Sequence, residues 1–168
     1  MPRLSDEDCG GRNVAAFLDT LAVSEIGRIM LADPASDDGY CIIVGSYPNK
    51  LITFADYSSH PNRLVRLSAS LSSTAAGRYQ ILNRFWVAYR DQLHLPDFSP
   101  ESQDRIAIQL LRETGAYRML LEGRLASALR LARSRWASLP GAGYGQHENS
   151  IASLVAAYKA AGGTVALA

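Results

Sequence analysis

Hydrophobic positions first fall into helical register between Asn13 and Gly27. There Val14, Phe17, Leu18 and Leu21 recur at i, i+3, i+4 and i+7, the spacing that lines one face of an α-helix. Glu25 continues that face, because at about 100° per residue the eleven steps from Val14 return to within roughly 20° of the same direction. A carboxyl therefore stands where the pattern calls for leucine. Gly27 is the expected helix stop.

Beyond it, Asp33-Pro34 ends any helix and the run Arg28 to Asp38 is expected to be a loop. Tyr40 to Val44 (YCIIV) and the run LITFADY from Leu51 flank the turn residues Gly45 to Lys50, which predicts a small β-hairpin. After Ser58-Ser59-His60-Pro61, the segment NRLVRL places Leu64 and Leu67 three apart and reads as helical. Ser72, Ser73 and Thr74 offer N-caps for AAGRYQILNRFWVAYRDQL, whose Ile81, Leu82, Phe85, Trp86 and Tyr89 mark it as the expected central helix. Gly77 near its start costs about 1 kcal/mol relative to Ala, a sign of close backbone approach by a packing neighbour or by a ligand.

Ser99-Pro100-Glu101 reads as N-cap, proline at the first helical position and an acid in the first turn, opening a helix through Ile106, Leu110 and Leu111 to Gly115. Another, from about Arg124, carries Leu125, Leu129, Ala132 and Trp136 at i, i+4, i+7 and i+11. Leu139 to Gly145 is too rich in glycine and proline for regular structure. A last helix carries Ile151, Leu154, Val155 and Tyr158 and ends at Gly162-Gly163. The order of elements predicts an α+β domain with a small β region and a mostly helical lobe.

Composition narrows the class. With 168 residues, 48% hydrophobic and 20% charged, the chain suits one globular domain over residues 12–168. Residues 1–11 bury almost nothing and are expected to form a disordered lead-in. No apolar run approaches the ~20 residues of a membrane helix, and the acidic, polar start is unlike a secretory signal. A soluble cytosolic product is therefore expected, with no membrane insertion. Cys9 and Cys41 lack zinc-site spacing and read as unpaired thiols. His60, His94 and His147 are scattered, so neither metal nor cofactor is expected.

Charge is uneven. Residues 1–56 hold four Arg or Lys against nine Asp or Glu, whereas residues 57–168 hold thirteen against seven. An excess of six positive charges suits an anionic polymer, a cell wall or a nucleic acid, or simply a solvated surface.

Glu25 is the candidate for chemistry. A buried carboxyl without a cationic partner keeps its proton, and the negative end of the helix dipole pushes the same way. A carboxylic acid protonated near neutral pH can act as a general acid, as glycosidic cleavage requires. A solvent-facing Glu25, or one paired with Arg28 or a distant arginine, fits the spacing equally well.

The stretches FLDTLAVSEIG (17–27), GYCIIVG (39–45), FADYSSHP (54–61), STAAGRYQ (73–80), FSPESQD (98–104), WASLPGAGYGQ (136–146) and AGGTV (161–165), in this order, resemble the lambda-type phage endolysins. That resemblance implies a lysozyme-like fold with an active-site cleft between the β region and the helical lobe, and it assigns the single catalytic glutamate to Glu25. It implies cleavage of the β-1,4 bond between N-acetylmuramic acid and N-acetylglucosamine with formation of a 1,6-anhydro end. It further implies peptidoglycan glycan strands as the partner, action as a monomer, and dependence on a phage holin to reach the wall from the host cytoplasm. A hydrolytic muramidase is the nearest alternative, with Asp37, Asp38 or Asp56 as a second carboxylate. A non-catalytic wall- or nucleic-acid-binding module, resting on the basic helix Arg124 to Trp136, is the more distant one.

For sugar binding, the matched stretches offer Tyr57 and Ser58, then Arg78, Tyr79 and Gln80, then Tyr144 and Gln146. Core packing stands as the alternative for Tyr79, and an ion pair with a β-region aspartate for Arg78. Val23, Ile26, Asp38 and Ala75 depart from the family's pattern, and the segment from Ile26 to Asp37 is longer. These departures bear on the shape of the cleft more than on the chemistry.

Overall fold

Burial decides which of the predicted helices form and where each one stops. The computed structural model describes residues 1–143 and 148–166. The chain divides into two compact units, Met1–Glu25 with Ala107–Ala168, and Ile26–Ile106. No helix among the described residues is long and apolar enough to cross a membrane.

The first unit is helical and built around α2 (Arg12–Glu25). Val14, Phe17, Leu18 and Leu21 are fully buried, and α2 packs against α1 (Asp6–Cys9), α6 (Ala116–Leu121) and α8 (Ile151–Ala160). Helix α6 packs in turn on α7 (Leu125–Ala132). The stripe Leu125, Leu129, Ala132 and Trp136 is buried as its spacing predicts, although α7 ends at Ala132 and Trp136 follows in the next turn. In α8, Leu154 and Tyr158 are buried while Ile151, in its first turn, is exposed.

Two features of this unit differ from expectation. The N-terminal stretch is not a disordered lead-in: Ser5 caps α1 by accepting the Asp8 N–H, Gly10 closes it in the left-handed region, and Cys9 is fully buried. Its apolar anchors, Leu4 and Cys9, are too few to show a period. Helix α6 was not anticipated either, because a helix of six residues following directly on Gly115 is too short to display one.

The second unit holds α3 (Arg28–Leu31), a 3-10 turn (Pro34–Ser36), β1 (Val65–Arg66), β2 (Ser72–Ser73), α4 (Asn83–Gln92) and the opening turns of α5 (Pro100–Thr114). The expected hairpin is present as antiparallel bridges rather than continuous strands. Ile42 lies opposite Thr53, the Ile43 N–H donates to the Ile52 carbonyl at 2.8 Å, and the Phe54 N–H donates to the Cys41 carbonyl at 3.0 Å. Ser46 explains the interruption. Its hydroxyl accepts the Ile52 N–H at 2.9 Å and donates to the Ile43 carbonyl at 2.8 Å, taking the place of a ladder partner.

Two helix assignments are corrected here. NRLVRL is extended, with Val65 opposite Ser73 and Arg66 opposite Ser72 in an antiparallel pair. Leu64 is 70% and Leu67 39% exposed, so the three-residue spacing has no apolar surface to bury. The second correction concerns the helix expected from residue 75, which begins only at Asn83. Residues 75–82 form a turn instead, with Gly77 at φ +78° and Gln80 at φ +48°. Helix α4 buries Trp86 and Tyr89 in the second unit, whereas eight residues of α2 are buried in the first.

Gly77 sits in that left-handed conformation for a reason that involves packing. A Cβ there would lie 2.1 Å from Gln103 Oε1. Gln103 cannot yield: Oε1 accepts the Arg78 N–H at 3.0 Å, and Nε2 donates to the carbonyls of Tyr40 at 3.1 Å and Phe98 at 3.0 Å. Gly77→Ala is therefore expected to lower stability by about 1–3 kcal/mol. Urea denaturation followed by tryptophan fluorescence checks this, and an unchanged midpoint would contradict it.

Candidate active site

Glu25 is the last residue of α2, one turn beyond the buried Leu21, so the helix carries its carboxyl along the same enclosed face. The carboxyl is half-buried, and burial raises its pKa from 4.5 to about 7, against the opposing pull of the Ser138 hydroxyl and backbone N–H. Ser138 Oγ donates to Glu25 Oε1 at 2.5 Å. Among the described residues no ion pair reaches Glu25, so neither Arg28 nor a distant arginine neutralises it. A carboxyl in this state is protonated in a large fraction of molecules at neutral pH and can donate a proton.

Around Ser138 lies a short polar network within the same unit. Ser24 Oγ and Ser138 Oγ are 2.7 Å apart. Asn149 Nδ2 lies 3.1 Å from both the carbonyl oxygen and the hydroxyl of Ser24, and 3.3 Å from the Ser138 carbonyl. The Asn149 N–H also donates to that Ser138 carbonyl at 2.9 Å. Sequence reasoning missed Ser138 and Asn149, which lie more than a hundred residues from Glu25. The one available signal was that Ser138 falls inside the matched stretch WASLPGAGYGQ. The loop that carries them is closed by Glu148, whose carboxylate accepts the N–H groups of Gly141 at 2.7 Å and Gly143 at 2.9 Å. Those bonds hold its pKa below the usual value.

In the second unit, Tyr57 is half-buried, its ring edge-on to Phe54 at 5.2 Å, and its hydroxyl donates to Asp37 at 2.7 Å. Ser58 is exposed, and its N–H donates to Asp56 at 2.8 Å. Gln80 is half-buried and donates from Nε2 to the Gly77 carbonyl at 3.0 Å. These three present surface to solvent.

Arg78 and Tyr79 do not. Arg78 is 2% and Tyr79 1% exposed, so both are enclosed rather than offered to a glycan. Arg78 Nη1 pairs with the Asp38 carboxylate at 2.7 Å and also donates to the Asp38 carbonyl, while its guanidinium lies 5.2 Å from the centre of the Tyr40 ring. Tyr79 and Tyr40 meet edge to face and donate to the same oxygen, Asp104 Oδ1, at 2.6 and 2.7 Å. Burial and the Asp104 charge hold both phenols protonated, with pKa values raised far above the usual range. Their part is to pin the turn that presents Gln80 to the residues around Tyr40. Tyr144 and Gln146 lie outside the described residues.

The aspartates weighed as a second carboxylate are all engaged. Asp37 accepts from Tyr57, Asp38 pairs with Arg78, and Asp56 caps Ser58. Among the described residues no group of three His, Cys, Asp or Glu side chains could hold a metal ion.

Known proteins are similar to nearly the whole chain. The family model Endolysin matches residues 15–165. The endolysin of Escherichia phage lambda is 51% identical over 150 residues, 89% of this chain and 91% of that protein. The endolysin of Escherichia phage P2 is 49% identical over 160 residues, 92% of this chain and 96% of that protein. A structure of bacteriophage lambda lysozyme complexed with a chitohexasaccharide superposes with a TM-score of 0.82 at 46% identity, covering 99% of this chain and 100% of that one. A second lambda lysozyme structure gives 0.81 at 47% identity, with 93% and 97% covered. The fold is lysozyme-like, and the chain belongs to the endolysin family of peptidoglycan-cleaving enzymes.

Proposed function

We propose that the chain is a lytic transglycosylase that cleaves the β-1,4 bond between N-acetylmuramic acid and N-acetylglucosamine and leaves 1,6-anhydromuramic acid ends. The observation that carries this reading is the half-buried Glu25 carboxyl with its pKa near 7 and no ion pair among the described residues. Glu25 protonates the glycosidic oxygen as the bond breaks. The carboxylate so formed takes the proton of the muramic acid C6 hydroxyl, whose oxygen attacks C1. Glu25 ends the cycle protonated, as it began. Hydrolysis would need a second carboxylate to supply a nucleophile or to activate water. The tethered C6 hydroxyl needs neither, because proximity stands in for an ordered water and its base.

Engagement of Asp37, Asp38 and Asp56 by Tyr57, Arg78 and the Ser58 N–H supports the single-acid mechanism. Tyr57, Ser58 and Gln80, with Tyr144 and Gln146, are the side chains proposed to contact the glycan, and the chitohexasaccharide bound by lambda lysozyme supports a polysaccharide ligand. In this reading the enzyme is a monomer that stays in the host cytoplasm until a holin opens the membrane, and then acts on the cell wall.

Mass analysis of muropeptides released from purified peptidoglycan tests the reaction. Anhydro ends, one water lighter than reducing ends, are expected; reducing ends alone would identify a hydrolase. Glu25→Gln is expected to clear permeabilised Gram-negative cells about 10²–10⁴-fold more slowly, and equal clearing would remove Glu25 from the mechanism.

The acid must carry its proton at the outset, so the rate of wild type is expected to fall as pH rises through about 7. Stability follows the same ionisation. The folded-state pKa is raised, so stability present below pH 4.5 is lost as pH climbs to about 7 and Glu25 ionises in place. Glu25→Gln escapes that loss. Its melting temperature should exceed that of wild type at pH 8 by more than it does at pH 4, and a pH-independent difference would refute the linkage.

A further inference from the structure

Asn149 has only one chemically consistent orientation. Its Nδ2 faces two backbone carbonyls, those of Ser24 and Ser138, and a carbonyl cannot donate, so the amide nitrogen and not the oxygen must point there. The same Nδ2 reaches Ser24 Oγ and therefore donates to it. Ser24 has one hydroxyl hydrogen left to place, and among the described residues its acceptor is Ser138 Oγ at 2.7 Å. Ser138 then places its own hydrogen on Glu25 Oε1 at 2.5 Å. Ser138 has a single hydroxyl hydrogen and gives it to Glu25, so Ser24 is the donor in the contact between the two serines, while backbone fixes Asn149 at the other end.

We propose that Asn149, Ser24 and Ser138 form a one-way hydrogen-bond relay that keeps Glu25 Oε1 an acceptor and so confines the acid's transferable proton to Oε2. This inference rests on the acid role proposed for Glu25 and adds three positioning residues to it. With Oε1 occupied by a donor, a proton on that oxygen would turn the Ser138 hydrogen away from its acceptor. Only Oε2 remains for the proton handed to the glycosidic oxygen. After transfer, the same Ser138 hydroxyl steadies the carboxylate, with Ser24 and Asn149 polarising it from behind. A group that must give up a proton and then recover one within a single turnover needs that balance, and burial alone would tip it toward holding the proton.

The relay predicts a graded and non-additive response. The readout is the titration of the Glu25 side-chain carbon in the intact protein, followed by carboxyl carbon NMR and assigned by its loss in Glu25→Gln. Ser138→Ala should raise the midpoint by about one pH unit. Ser24→Ala, which does not touch Glu25, should raise it by less, in the same direction. Ser24→Ala added to Ser138→Ala should change nothing further, because the link it would weaken is already gone. Ser138→Thr, which keeps a hydroxyl, should restore most of the wild-type midpoint and of the alkaline limit of the rate profile. A Ser24→Ala midpoint equal to wild type, or a Ser24→Ala shift that persists without the Ser138 hydroxyl, would overturn the relay.

Near-ultraviolet circular dichroism confirms that each variant is folded, and Ser24→Ala with Ser138→Thr decides the matter if Ser138→Ala is not. The titration does not depend on turnover. Should Glu25→Gln prove fully active, the acid assignment fails while the relay is still decided by the midpoints.

Discussion

Burial of one carboxyl at the end of an otherwise apolar helix face is the constraint on which the site depends. Val14, Phe17, Leu18 and Leu21 anchor α2 in the first unit, and the helix delivers Glu25 to its place as rigidly as it delivers the leucines. The shift from 4.5 to about 7 corresponds to about 3 kcal/mol of preference for the protonated form. A hydrogen bond to a charged group offsets about 1.5–3 kcal/mol, so without the hydroxyl and backbone N–H of Ser138 the shift would be larger still. Burial is therefore the larger of the two opposed terms, and the hydrogen bonds from Ser138 hold the glutamate near neutrality rather than far above it.

That balance explains which parts of the chain could be read in advance. The helical stripes of α2, α5 and α7 were legible because each repeats an apolar position over two or more turns, and the anomaly at Glu25 was visible only against that regularity. Where the period was short, local spacing misled. Leu64 and Leu67 suggested a helix, yet both are exposed and the segment pairs as β1 with β2. The run after Thr74 contains good helix formers, but Gly77 and Gln80 in left-handed conformations hold residues 75–82 in a turn. Tertiary contact with Gln103 overrides propensity there.

The candidate site divides in the same way. Glu25 could be found from periodicity together with resemblance, whereas Ser138 and Asn149 come from a loop with no period at all, and their hydrogen bonds exist only in three dimensions. Arg78 and Tyr79 illustrate the converse. Residue type marked both as sugar ligands, and burial assigns them to the scaffold through Asp38 and Asp104. Type says what a side chain can do, and enclosure decides whether a ligand can reach it.

The second unit solves a related problem with neutral groups. Asp104 is fully buried, and two phenols donate to one of its oxygens. Burial raises the pKa of each phenol, so the donors stay protonated and the buried acceptor keeps its partners over the whole working range of pH. Glu25 is treated differently. Among the described residues its donors are the hydroxyl and backbone N–H of Ser138, and its pKa stands at about 7. Donated hydrogen bonds thus tie the buried Asp104 into the scaffold, and at Glu25 they oppose the upward pull of burial.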